Sequence, residues 1–350
     1  MILTMNDFNS TRRLPAEWEP QGGVIVSWPH AGTDWAYMLD EVTECFARIV
    51  TAIAEEQPVV VIVPDKNIAS PHLLTANQNN ILYVELPTND TWARDFGPLS
   101  VTVGDKPVLL DFGFNGWGLK FAADKDNLLT LGLVEKGVLR AECENRRGFI
   151  LEGGSIESDG NGTLLTTSRC LLSPNRNGEM SREQIEEYLR GAFGIKRVLW
   201  LDHGYLAGDD TDSHIDTLAR FAPHDTIIYV GCDDDTDEHY SELQAMKRQL
   251  MEMRTTDGNP YNLIELPMPD AVYDEDGERI PATYANFLIM NKSILLPVYG
   301  QPLKDELAAQ LLKISFPDHE IKKIDCSALI KQHGSLHCVT MQIPNDILPI

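Results

Sequence analysis

"AYMLDEVTECFARIVTAIAEEQPVVVIV" (36–63) carries two hydrophobic periods in one short span. Leu39, Val42, Phe46, Ile49, Val50 and Ile53 recur at helical intervals and line one face of a helix. "PVVVIV" (58–63) then runs apolar without a break, as a strand buried on both faces does. A helix leading into such a strand is the repeating unit of an α/β fold. The same order recurs further on, with helices near 124–139, 181–194, 240–253 and 305–317. The last three lead into "RVLWL", "NLIELP" and "EIKKI". Five helix-plus-strand units are therefore expected, three of them about 60 residues apart. Residue identities do not repeat, so the recurrence is one of architecture. No Pro/Gly/Ser-rich linker divides the chain, and a single domain over 1–350 is expected.

With 43% hydrophobic and 23% charged residues, the 350-residue chain can bury a sizeable core. Its 29 Lys plus Arg against 53 Asp plus Glu give a net charge of -24. That balance argues against nucleic-acid and anionic-membrane partners, which need basic patches. It suits a cationic ligand, although a solvated acidic surface produces the same count. The opening "MILTMNDFNSTRRLPAEWEP" has no signal-peptide core, and no apolar run approaches the ~18 residues that span a bilayer. A soluble, cytoplasmic protein is expected. Cysteines at 45, 143, 170, 232, 326 and 338 form no C-x-x-C pair, which gives no reason to expect disulfides or structural zinc.

Four loops concentrate chemistry-bearing residues. In "TNDTWARDFGP" (88–98), Asp95 reads as a turn carboxylate, a partner of Arg94, or a ligand for a cation. In "FILEGGSIESDGNGT" (149–163), Glu152 ends an apolar run before two glycines that admit close backbone approach. A carboxylate there needs a partner, which a structural ion pair or a functional group supplies equally well. "AGDDTDSHIDTLARF" (207–221) is dense in aspartate, yet an EF-hand register starting at Asp210 puts Ile215 and Phe221 where Gly and Glu are required. The run "DDDTDE" (233–238) fails the same test and reads as a solvated loop. His214 and Asp216 are alternate residues, so an extended segment would present both on one face, one to move protons and one to bind positive charge. A planar guanidinium suits such carboxylates, because its fork of donors pairs bidentately. The fourth loop, "HGSLHCVTMQIP" (333–344), carries Cys338, which alone reads as a core residue and in this company as a nucleophile. His337, its neighbour, is not the expected base, since adjacent strand residues face opposite ways.

In sequence order these motifs resemble the agmatine deiminases and the related bacterial-type peptidyl-arginine deiminases, among the guanidino-group-modifying enzymes. The resemblance runs from "LPAEWEPQGGVIVSWPH" (14–30) through "WARDFGP" (92–98), "FNGWGLKF" (114–121) and "LEGGSIESDGNGTLLTT" (151–167). It continues through "GDDTDSHIDTLARF" (208–221) and "YANFLIMNKSILLPVYG" (284–300) to "LHCVTMQIP" (336–344). It implies an α/β propeller of five pseudo-symmetric modules, a pentein, with the active site in the central channel. It further implies Cys338 as nucleophile, His214 as general acid/base and Glu152 as the partner of that histidine. Asp95 and Asp216 become guanidinium ligands, with Trp92 lining the pocket. No metal and no organic cofactor enters that chemistry, and the partner is a small cationic guanidino substrate; a homo-oligomer stays open. Two departures stand out: Ser213 where the family commonly has Gly, and "HGSL" in place of a glycine-rich run with Asn. Agmatine is the first expected substrate and peptidyl arginine the second, with amidino transfer and non-catalytic cation binding behind them.

Overall fold

Helix Leu39–Ala54 forms where the periodicity puts it, burying Val42, Phe46, Ile49, Val50 and Ile53. The computed structural model describes residues 12–349. The first eleven residues, part of the stretch read for a leader, lie outside the described ones. Strand Val59–Val63 follows the helix and pairs in parallel with Gln21–Ser27 before it, both buried almost throughout.

Four more helices repeat this connection: Leu129–Glu135, Arg182–Phe193, Tyr240–Glu252 and Pro302–Ser315. Each joins two parallel strands, the second being Glu142–Ile150, Arg197–Leu201, Asn262–Leu266 and Glu320–Asp325 respectively. The first strand of each parallel pair also takes an antiparallel neighbour on its other edge. Five mixed sheets of the same local topology result, and the protein is of mixed α/β class. In four units the antiparallel strand comes just before the parallel pair: Leu99–Val103, Ile156–Ser158, Ala219–Ala222 and Leu288–Ile289. In the unit that opens the chain it comes from the far end, where Thr340–Pro344 pairs with Gln21–Ser27. That ladder fastens the region around Cys338 to the N-terminal strand.

Helix Arg182–Phe193 shows how local sequence sets these boundaries. Ser181 and Gln184 form a reciprocal capping box at its start, and Gly194 in the left-handed region ends it. Strand Glu142–Ile150 escapes hydrophobic periodicity because its sequence, "ECENRRGFI", is half charged. Arg146 pairs with Glu144, and Arg147 reaches Asp111 on the neighbouring strand at 2.8 Å. Among the described residues no helix is long and apolar enough to cross a membrane.

Charged side chains also enter the core, Arg220 among them. Arg220 is fully buried, with its guanidinium between Glu17 and Glu157, on the Phe287 carbonyl and over the Phe287 ring. Removing one partner of such a cluster leaves bare charge in the interior, a loss of about 3–5 kcal/mol. Arg220→Met is expected to lower stability by that amount in a denaturant or thermal unfolding series. Arg48→Ala, which breaks the exposed helical pair with Glu44, should change it by less than about 1 kcal/mol. Equal losses from the two substitutions would contradict this assignment of burial.

Candidate active site

Each unit contributes a short segment that enters its antiparallel strand, and those segments carry the chemistry. Asp95 lies on the turn Ala93–Phe96 ahead of Leu99–Val103, and Glu152 caps the turn Gly153–Ser155 ahead of Ile156–Ser158. His214 caps the turn Ile215–Thr217, which contains Asp216, ahead of Ala219–Ala222. Asn286 precedes Leu288–Ile289, and Cys338 precedes Thr340–Pro344. The backbone at "HID" is thus a tight turn, not the extended segment expected, because the chain must bend there to enter the strand. Residues 336–339 are likewise a turn, which removes the strand argument applied to His337.

The segments meet at Gly154. A Cβ on that glycine would lie 2.6 Å from His214 Nδ1, 2.9 Å from Asp95 Oδ1 and 3.1 Å from Asp216 Oδ2. Three predicted residues therefore converge on one backbone position that excludes any side chain. The Gly154 N–H donates to Asp95 Oδ1 at 2.9 Å, and Trp117 Nε1 donates to Asp95 Oδ2 at 2.8 Å. Arg94 does not pair with Asp95; its backbone N–H donates to the Cys338 carbonyl and its Nη1 to Gln342 Oε1 at 2.6 Å. The Arg94 reading of Asp95 is thereby replaced, and Arg94 instead ties the Asp95 turn to the Cys338 segment.

Cys338 Sγ lies 3.3 Å from Asn286 Oδ1 and 3.9 Å from Asp216 Oδ2. Burial first, then the charges of Asp216 and Asp95, push its thiol well above the ordinary range. Burial also raises the Asp95 carboxyl, to about 6. For His214, burial alone favours the neutral ring, but Asp95 at 3.6 Å from Nδ1, with Cys170 and Glu152, holds the imidazole well above its usual value. Burial and the carboxylates thus favour the thiol form of Cys338, and the carboxylates favour the protonated form of His214. His214 Nε2 is buried without a hydrogen-bond partner among the described residues.

Glu152 does not hydrogen-bond His214. Arg176 Nε takes both of its carboxylate oxygens, at 2.9 and 3.0 Å, so the ion-pair reading is realised. Glu152, Cys170 and His214 nevertheless offer ligand atoms within 4.8 Å of one another, as do Glu17, Glu157 and His337. Each group already contains a guanidinium as counter-charge, Arg176 in the first and Arg220 in the second. Neither Asp95 nor Asp216 has an arginine or lysine within salt-bridge distance among the described residues; their partners at that distance are the imidazoles of His214 and His337.

A pocket opens onto Cys338. Its lining includes the buried Asp95, Cys338, Trp92 and Trp117, the half-buried Asp90 and Asp210, and the exposed Phe121 and Asp34. No lysine or arginine lines it among the described residues. Trp92 is held over Gly334 and donates from Nε1 to Asp90 Oδ2 at 3.1 Å. His214, Asp216 and Glu152 do not line the pocket and are each at most 1% exposed. Ser213 has φ 64, in the left-handed region, which accounts physically for a glycine preference at that position.

Asn286 and the acidic pocket residues carried no signal as single positions. The signal that finds Asn286 is the repeat, since four units already supplied a residue just before the antiparallel strand. Gly154→Ala is expected to lower guanidine turnover by at least about 10²-fold, because its methyl displaces His214 and both aspartates. Side-by-side kinetics and thermal unfolding check this; near-native turnover would refute the close approach.

The family model of the Porphyromonas-type peptidyl-arginine deiminases matches residues 13–344. A Porphyromonas gingivalis structure provisionally named an arginine deiminase is 51% identical, with TM-score 0.92 over 96% of this chain and 99% of that one. A C. jejuni agmatine deiminase structure with substrate bound is 38% identical, with TM-score 0.88 over 95% and 96%. A Shewanella sp. (strain W3-18-1) protein provisionally named an agmatine deiminase is 35% identical, with 95% of this chain and 94% of that protein aligned. The chain therefore belongs to the Porphyromonas-type peptidyl-arginine deiminase family and is a guanidino-modifying hydrolase acting on C–N bonds.

Proposed function

We propose that this protein is an agmatine deiminase, converting agmatine to N-carbamoylputrescine and ammonia through Cys338, a step toward putrescine and the polyamines in the cytoplasm. The five units are then the modules of one pentein domain over 1–350, arranged as a propeller with the pocket at its centre. The observation that carries the proposal is the pair of buried carboxylates, Asp95 and Asp216, beside the Cys338 thiol, with no lysine or arginine in salt-bridge distance among the described residues. Buried carboxylates are stabilised by a partner of opposite charge, and a guanidinium supplies it with matched geometry. A second observation favours agmatine over peptidyl arginine. Asp34, Asp90 and Asp210 offer acidic partners to a free amine at the far end of the substrate, whose charge would favour ionisation of Asp90, held up at about 7 by burial, while no lysine or arginine of the pocket lining awaits a carboxylate.

In this mechanism the substrate cation settles between Asp95 and Asp216 and offsets the charges that hold the thiol protonated, so that the thiol gives its proton to bulk water as the cation binds. The Cys338 thiolate then attacks the guanidinium carbon, and His214 gives a proton to the departing ammonia. An amidino-cysteine remains. His214, now neutral, takes a proton from water as the water oxygen bonds to the same carbon. The C–S bond breaks, releasing the ureido product and the thiol. Glu152, held by Arg176, supplies negative charge close to His214 through both protonation states.

Ammonia release from agmatine, free arginine and a C-terminal-arginine peptide tests the proposal. Agmatine should be turned over fastest, and Cys338→Ala should lose at least about 10³-fold in kcat. Preference for the peptide would move the assignment to peptidyl-arginine deimination. Asp90→Asn with Asp210→Asn should raise KM for agmatine about tenfold, a loss of about 1.4 kcal/mol, with less effect on the peptide. Asp95→Asn should separate two measurements. Turnover falls, while alkylation of Cys338 by neutral iodoacetamide near pH 8 becomes faster, because removing a carboxylate lowers the thiol pKa. Slower alkylation in that variant would contradict the electrostatic account.

A further inference from the structure

Beneath Cys338 lies a histidine that the proposed chemistry does not use. His337 is 1% exposed, with Nδ1 2.7 Å from Asp216 Oδ2 and Nε2 2.7 Å from Glu17 Oε2. Glu17 is itself anchored: Oε2 accepts from Arg220 Nη2 at 2.7 Å, and Oε1 accepts from the Ile289 N–H at 2.8 Å. A line of contacts thus runs from a fixed glutamate, through an imidazole, to one oxygen of Asp216. The other oxygen, Oδ1, is buried and takes no hydrogen bond among the described residues. A carboxylate turns about its terminal torsion with little resistance, so fixing Oδ2 decides where Oδ1 points. His337 also donates its backbone N–H to Asn286 Oδ1 at 2.9 Å, the same atom that lies 3.3 Å from Cys338 Sγ. One residue ties both the carboxylate and the nucleophile to the same frame.

We propose that His337, anchored by Glu17, is a positioning residue that aims the free oxygen of Asp216 at the substrate guanidinium and so makes Cys338 selective for cationic electrophiles. This rests on the guanidine-hydrolase function proposed above, which places Asp216 against the substrate. The electrostatics of Asp216 agree. Burial alone would raise its carboxyl, but the hydrogen bond and charge of His337 hold it below the ordinary range. A histidine serving only the core would matter through its contact with Glu17, and one positioning the site would matter through its contact with Asp216.

Two substitutions separate these roles. The amide nitrogen of asparagine can take the place of Nδ1, facing Asp216, and that of glutamine the place of Nε2, facing Glu17. The readout is the ratio of Cys338 alkylation rates by chloroacetamidine, a cationic amidine, and by neutral iodoacetamide, followed by mass spectrometry on the intact protein. The ratio is expected to fall about tenfold in His337→Gln and no more than about threefold in His337→Asn. Equal ratios, or the larger loss in His337→Asn, would overturn the proposal. Thermal unfolding accompanies each variant. If either fails to fold, Glu17→Gln is read in the same way, with a reduced ratio expected and an unchanged one overturning the inference. Alkylation needs no turnover, so a wild-type protein that hydrolyses no guanidine would remove the proposed function while the ratios still decide the role of His337.

Discussion

Buried negative charge is the constraint around which this protein is organised. Glu17, Asp95, Glu152, Glu157 and Asp216 are all at most 8% exposed, a placement that stands only if each charge is compensated. Arg220 answers Glu17 and Glu157, and Arg176 answers Glu152, by direct ion pairs. Asp95 and Asp216 are left to imidazoles and hydrogen bonds, namely His214, His337, Trp117 and the Gly154 backbone. The difference between the two groups separates structural carboxylates from those able to receive a cation.

The same charges govern the thiol. A catalytic cysteine is usually activated by nearby positive charge, yet here burial, and then the charges of Asp216 and Asp95, push the Cys338 thiol up. Reactivity is, on the proposed function, coupled to the arrival of a cation, which supplies what the free site withholds. On the proposed function, a neutral electrophile meets a poor nucleophile and a guanidinium meets a good one. Selectivity then begins in the electrostatics of the thiol, before any contact with the tail of the substrate.

Topology explains how residues more than two hundred positions apart come to share one site. Each unit bends the chain into its antiparallel strand, and the bend is where a side chain can leave the sheet and face its counterparts from other units. The final strand, Thr340–Pro344, pairs with Gln21–Ser27 and fixes the Cys338 segment. Arg94 reinforces the join by donating to the Cys338 carbonyl and to Gln342. Glycine permits the convergence: at Gly154 even one methyl group would touch His214 and both aspartates.

By itself the sequence determined the five helices and the strands of four units, since helical spacing and apolar runs are local properties that a chain displays before it folds. It also determined which residue types were available for guanidine chemistry, and the order of its motifs pointed to the family. Strand Glu142–Ile150 was hidden because its charges are satisfied across the sheet, a fact no local pattern records. Tertiary structure alone decided who partners whom: Arg176 takes Glu152, Arg94 leaves Asp95 for the Cys338 segment, and His337 turns to Asp216 and Glu17. Partnership depends on distances of about 3 Å between residues far apart in sequence, and only the packed chain sets those distances.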